Sequence, residues 1–133
     1  MKLTKKSEYA LLALLVLARN PTGSYLTVDS IAKVHGIPVN FLEQLLLILK
    51  RAKFVKSMKG QGGGYQLAKA PESVSLAEVI RLFDGALAPT ESVSEYFYEP
   101  TPIEKEKALV KVFREIRDFV AEKLERTTLA DLV

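Results

Sequence analysis

Lys59-Gly60-Gln61-Gly62-Gly63-Gly64-Tyr65-Gln66-Leu67 holds four of the seven glycines in a chain of 133 residues. Such density suits a phosphate cradle, a close backbone approach or a tight hairpin turn. A dinucleotide fingerprint needs G-x-G-x-x-G leading from a strand into a helix, but Tyr65 stands where the third glycine belongs. No Gly-Lys-Ser/Thr closes a P-loop either. Instead Tyr65-Gln66-Leu67-Ala68 alternates apolar and polar, as Phe54-Val55-Lys56-Ser57-Met58 does before the glycines, and each run reads as a short strand. The stretch is therefore the tip of a hairpin, and its meaning depends on what precedes it.

What precedes it reads as two helices and a tight turn. Thr27 is a good N-cap for Val28 to His35, where Ile31 and Val34 supply the apolar positions, and Gly36 can take the left-handed conformation that stops a helix. Pro38 suits the first position of the next helix, where its missing N–H costs nothing. Two helices joined by about two to three residues containing a glycine are the signature of a helix-turn-helix. In the second helix, expected from about Pro38 to Ala52, Leu42, Leu45, Leu46 and Leu49 repeat at the spacing of a buried stripe. Asn40, Glu43, Gln44, Lys50 and Arg51 fall on the other face. Asn and Gln bond bidentately to adenine in the major groove and Glu accepts from the cytosine amino group, although such residues also make ordinary surface. Followed by a cationic glycine hairpin, this arrangement is expected to be a winged helix, with Lys59 and the bare peptide groups of the tip close to phosphates.

Thr4 can cap a first helix through Leu17 to about Arg19, mostly core. Downstream, Ser75-Leu76-Ala77-Glu78 is a capping box for a short helix that Asp84-Gly85 ends, and Thr101-Pro102-Ile103-Glu104 is a second for a helix to about Glu125, some 36 Å long at 1.5 Å per residue. Leu109, Phe113, Ile116 and Val120 form one stripe on it, widened by Val112, Phe119 and Leu124, more apolar surface than a small domain needs to bury. Thr127-Thr128-Leu129-Ala130-Asp131-Leu132-Val133 reads as a last helical turn. Between the helices lie an irregular segment and the aromatics Tyr96, Phe97 and Tyr98, which suit a dimer-junction core, a small-molecule pocket or a partner-docking patch. Glu91, Glu95 and Glu99 share a face only if the segment is helical, and surface carboxylates are the plainer reading. The fold class is thus mainly α with a small β-hairpin wing. Residues 1–85 would form the winged helix-turn-helix domain and 86–133 a variable sensor-type segment with the dimerisation helix.

The net charge of +3 divides unevenly. Residues 1–70 carry 11 Lys/Arg against 3 Asp/Glu, a balance of +8, and residues 71–133 carry 8 against 13, a balance of −5. Lys50, Arg51, Lys53, Lys56 and Lys59 lie together without an acid, an electrostatic footprint suited to nucleic acid. The longest apolar run, Tyr9 to Ala18, is too short for a membrane span, which needs roughly 18 residues or more, so no membrane partner and a cytoplasmic protein are expected. There is no cysteine and one histidine, His35, and no nucleophile or acid–base pair is evident, which argues against an enzyme.

Taken together, Met1-Lys2-Leu3-Thr4 with Tyr9-Ala10, Ile37-Pro38 with Phe41-Leu42-Glu43-Gln44-Leu45, the glycine hairpin, and Thr127 to Val133 resemble the Rrf-type winged-helix transcription factors of bacteria. The resemblance implies a homodimer formed by the long helix through Leu109, Val112, Phe113, Ile116, Phe119 and Val120, bound to a palindromic operator in double-stranded DNA. It implies DNA contacts from Lys2 and Thr4, from Val39, Asn40, Phe41, Glu43, Gln44 and Arg51, and from Lys59, Gly60, Gln61 and Gly62. By family habit Lys59 would be an arginine, and lysine keeps the charge without the planar fork. Members that sense through an iron–sulfur cluster carry three cysteines in the irregular segment, where this chain has none, so no cofactor or metal is expected and a small-molecule or protein effector remains open. The runner-up is a protein-interaction module that keeps the winged-helix shape and regulates a partner without binding DNA.

Overall fold

The computed structural model describes residues 1–21 and 23–133. Helix α1 spans Lys5–Arg19, α2 Val28–His35 and α3 Val39–Arg51; strands β1 (Val55–Met58) and β2 (Gly64–Leu67) follow, then α4 (Leu76–Asp84) and α5 (Lys107–Arg126). Short 3₁₀ turns occupy Pro71–Ser73, Glu91–Val93, Pro102–Lys105 and Leu129–Leu132.

The helix starts follow the side chains that cap them. Thr4, Thr27 and Ser75 each accept from a backbone N–H three residues on, and Glu78 completes the capping box at Ser75. Gly36 stops α2 in the left-handed region, and Ile37 N–H then donates to the Ala32 carbonyl at 2.9 Å. The end of α3 uses the same geometry with a less suitable residue. Lys53 sits at φ 68°, donating to Lys50 at 3.0 Å, while Phe54 N–H donates to Leu49 at 2.9 Å. Buried Leu49 and Phe54 close this Schellman motif and aim the chain into β1.

The core lies around α1. Ala10, Ala13, Leu14 and Leu17 meet Ile31, Ile37, the α3 stripe Leu42, Leu46 and Leu49, Phe54 and Val55 from the hairpin, and Val74, Val79 and Leu129. Each fully buried leucine contributes roughly 1.5–3 kcal/mol of transfer free energy, so the α3 stripe alone fixes that helix against α1. Leu129 arrives from the far end of the chain. Its N–H donates to Val74 at 3.0 Å, and Leu76 N–H donates to Thr127 at 2.9 Å.

Four expectations need correction. Pro38 is the residue before α3 rather than its first helical position, with ψ at 126°. Val34 is 59 % exposed, and α2 buries Ile31 and Ala32 instead. Thr101 caps nothing: its hydroxyl donates to Ser92 Oγ at 2.7 Å, the following turn is 3₁₀, and Glu106 interrupts it before α5 begins. The final helix is therefore 20 residues, about 30 Å, and not 36 Å. Residues 91–99 are not a continuous helix, and Glu91, Glu95 and Glu99 are exposed carboxylates, in keeping with the plainer reading. Finally, the α5 stripe is two stripes. Phe113 turns inward with Val110 against Ala88 and Val93, whereas Leu109, Val112, Ile116 and Phe119 point outward at 42, 50, 43 and 75 % exposure.

Candidate nucleic-acid interface

The chain bends by 114° between α2 and α3, and the three residues in the bend are Gly36, Ile37 and Pro38. Burial of Ile37 locks the bend to the core. With Leu42, Leu45, Leu46 and Leu49 buried, the opposite face of α3 is settled: Asn40, Glu43, Gln44 and Arg51 are exposed. Val39, at 37 % exposure, borders that face. Phe41 does not belong to it. Its ring meets Tyr9 edge-on at 5.7 Å and so braces α3 against α1.

The hairpin pairs Val55 with Leu67, Lys56 with Gln66, Ser57 with Tyr65 and Met58 with Gly64. At its tip Gly63 N–H donates to the Gly60 carbonyl at 3.0 Å, and Gly60 and Gly62 adopt φ 90° and 78°. Lys59, Gly60, Gln61 and Gly62 are all exposed. Gly64 serves a different end. Leu26 bridges Tyr65 through two backbone bonds of 2.7 and 2.8 Å, and a Cβ on Gly64, at φ 141°, would run into the Leu26 carbonyl. The glycine lets the segment before α2 attach to the second strand of the wing near its tip, so the wing and the helix-turn-helix are joined by hydrogen bonds as well as by sequence.

The start of α1 is held by a partner that the sequence did not signal. Asp84, the last residue of α4, accepts from the hydroxyls of Thr4 and Ser7 at 2.6 Å each and from Thr4 N–H at 3.2 Å. Burial pushes its pKa up, but the Ser7 and Thr4 hydrogen bonds outweigh this and leave it below the ordinary 3.8. Thr4, though exposed, spends its hydroxyl on Asp84, and Lys2, Lys5 and Lys6 are the exposed cations around it. Asp84 reads in sequence as a helix stop, because its partners are 77 and 80 positions away.

Tyr96, Phe97 and Tyr98 are 64, 44 and 53 % exposed. The Arg81 guanidinium stacks 4.8 Å above the Tyr96 ring, and Tyr98 donates its hydroxyl to Glu104, which raises the phenol's pKa. The crevice between Arg81, Leu87, Ser94, Tyr96, Phe97 and Arg117 measures about 10 Å³, space for a water and not for an organic effector. No helix among the described residues is long and apolar enough to cross a membrane alone.

A helix-turn-helix braced to a glycine-tipped hairpin, with a polar outer face and a cationic exit, defines a winged-helix DNA-binding protein. The family comparison agrees: the model for Rrf2, described as an iron-dependent transcriptional regulator, matches residues 3–133, and the chain belongs to that family. An rrf2-like HTH-type transcriptional regulator of Rhodobacter capsulatus is 39 % identical, over 98 % of this chain and 91 % of its own length. The HTH-type transcriptional regulator CymR of Bacillus subtilis is 33 % identical over 99 % and 89 %. The solved structure of B. subtilis CymR, the global cysteine regulator, superposes with a TM-score of 0.86 at 32 % identity, covering 99 % of this chain and 95 % of that one. IscR of T. potens gives 0.77 at 27 % identity, covering 99 % and 85 %. The chain is thus a transcriptional regulator of winged-helix type.

The family's iron can be tested against this donor set. Thiolates hold iron–sulfur clusters, and this sequence has no cysteine. His35 is exposed at the end of α2, and no group of three His, Asp or Glu residues among those described is placed to hold a metal ion. The residues do not fit an iron–sulfur cluster.

Proposed function

We propose that this protein is a homodimeric, sequence-specific repressor that binds a palindromic operator in the cytoplasm and works without an iron–sulfur cluster. The observation that carries the proposal is the exposed face of α3, which lies opposite its buried stripe and beside a glycine wing with a lysine at its tip. Asn40, Glu43 and Gln44 read base edges in the major groove, where each well-formed bidentate pair discriminates by about 1–3 kcal/mol. Arg51, Lys59 and Lys2 neutralise phosphates, and the peptide N–H groups of Gly60 and Gly62 approach them unobstructed. Gln61 reaches the adjacent minor groove or sugar. Thr4 and Phe41 act from behind, holding the arm and the helix in place.

The second copy is supported by the outer face of α5. Leu109, Val112, Ile116 and Phe119 repeat at three- and four-residue spacing, which is a two-helix seam. An apolar hollow of about 160 Å³, lined by Leu87, Ala88, Pro89, Ile116 and Val120 with Met1, opens beside it. A two-fold axis through this seam presents two α3 helices to half-sites about one helical turn apart.

The deciding experiment measures affinity for the DNA upstream of the protein's own gene at several salt concentrations. Lys59→Ala is expected to weaken all sequences alike and to reduce the salt slope by about one. Gln44→Ala is expected to lower the preference for the operator over random DNA. Salt-insensitive binding unchanged by both variants would overturn the proposal. The exposed aromatics favour a second reading, in which the Tyr96–Tyr98 patch docks a protein. Because no effector-sized cavity lies there, a protein fits that surface better than a small molecule.

A further inference from the structure

Leu47 is 46 % exposed on α3, while Leu45 and Leu46 beside it are buried. At about 100° per residue, Leu47 lies some 20° from Asn40, 40° from Arg51 and 60° from Gln44 around the helix, directly opposite the buried stripe. It is therefore at the centre of the proposed readout face. Isolated exposed leucines are ordinary on protein surfaces. This one is ringed by Asn40, Glu43, Gln44, Lys50 and Arg51, all exposed and none apolar. A protein partner would have to bury those polar and charged groups with it, and the outer seam of α5 belongs to another element. Duplex DNA meets both demands at once, with phosphates for the cations and the thymine C5-methyl for the leucine.

We infer that Leu47 is a specificity-determining residue that packs against a thymine methyl in the major groove. The inference rests on the DNA-binding reading above and adds a base that no hydrogen-bonding residue reads. Leu47 is seven residues beyond Asn40, about 10 Å along the helix. At 3.4 Å per base pair, its thymine lies roughly three steps from the base that Asn40 reads. The contact carries no hydrogen bond. It distinguishes thymine from cytosine, and thymine from uracil, by one methyl group.

The test uses the full chain. Binding sites are first selected from random duplex DNA; each thymine of the selected half-site is then replaced singly by uracil and affinity is measured by fluorescence anisotropy. The wild type is expected to lose about three- to fivefold at one thymine per half-site, the value of one buried methyl. Leu47→Ala is expected to bind thymine and uracil equally at that position while keeping the wild-type response to salt, and Leu47→Met to restore the discrimination. Because Leu47 is exposed, thermal melting of both variants is expected to match the wild type. If every uracil is neutral for the wild type, or if Leu47→Ala keeps the wild-type uracil profile, the inference is overturned and the DNA-binding reading stands. If no sequence is selected, both fall.

Discussion

Replacing Lys53 by glycine is expected to stabilise the protein although it removes a side chain from a basic segment. Lys53 holds the left-handed conformation that closes α3, at φ 68°, and is the only non-glycine residue described with a positive φ. That conformation costs an L-residue roughly 1–2 kcal/mol, because Cβ crowds the following carbonyl. Glycine avoids the crowding but loses more chain entropy on folding, about 0.5–1 kcal/mol. The net gain is about 0.5–1 kcal/mol. With an unfolding entropy near 2.1 cal/mol/K per residue, the melting temperature of a chain this long rises by about 2–4 °C. Thermal unfolding followed by circular dichroism at fixed protein concentration measures this directly. Lys53→Ala separates conformation from charge: it relieves repulsion from Lys50, Arg51 and Lys56 but keeps Cβ, so it is expected to give no comparable rise. A Lys53→Gly protein that melts at or below the wild-type temperature would refute the reasoning. An equal rise in Lys53→Ala would assign the effect to charge instead.

Three other outcomes follow from geometry. Gly64→Ala, which drives a Cβ into the Leu26 carbonyl, is expected to destabilise by about 2 kcal/mol or more and to lower the midpoint of urea unfolding. Phe119→Asp is expected to convert the proposed dimer to monomer in sedimentation equilibrium, whereas Phe113→Ala is expected to cost about 2 kcal/mol of fold stability because Phe113 packs inward; a dimeric Phe119→Asp protein would remove α5 from the proposed interface. For Asp84 the folded pKa lies below the unfolded value, so its stabilising contribution is complete above about pH 4 and disappears as pH falls through the lowered folded value. The stability difference between wild type and Asp84→Asn is accordingly expected to stay constant from pH 7 to about 4 and to shrink below it, as read from urea midpoints across pH.

The legible parts of this molecule are those whose cause is local. Thr27 and Gly36 bound α2 because a cap and a left-handed residue act within one turn, and the α3 stripe faces inward because four leucines leave it no other face. Thr101 shows the limit: its capping-box spacing is correct, but its hydroxyl is taken by Ser92, and no local pattern records that competition. The α5 stripe fails for a related reason. Periodicity finds apolar residues but cannot tell those that cover the chain's own core from those left exposed, so Phe113 and Ile116 look equivalent in sequence yet fall in adjacent stripes, one packed inward and one 43 % exposed. The Asp84 tie was invisible because its partners lie on another helix. Within the candidate interface, Asn40, Glu43, Gln44 and Lys59 are exposed as the pattern suggests, Thr4 and Phe41 are taken by neighbours, and Leu47 escaped notice because leucine is read as core wherever it occurs.

Leu129 packs into the same core as Ala10 and Leu14, with Val74 receiving its N–H. During synthesis, therefore, the helices that would meet DNA emerge from the ribosome before the residue that completes their packing. Until Leu129 arrives, its seat beside Ala10, Leu14 and Val74 stays open, so the DNA-reading half of the chain reaches its final packing last.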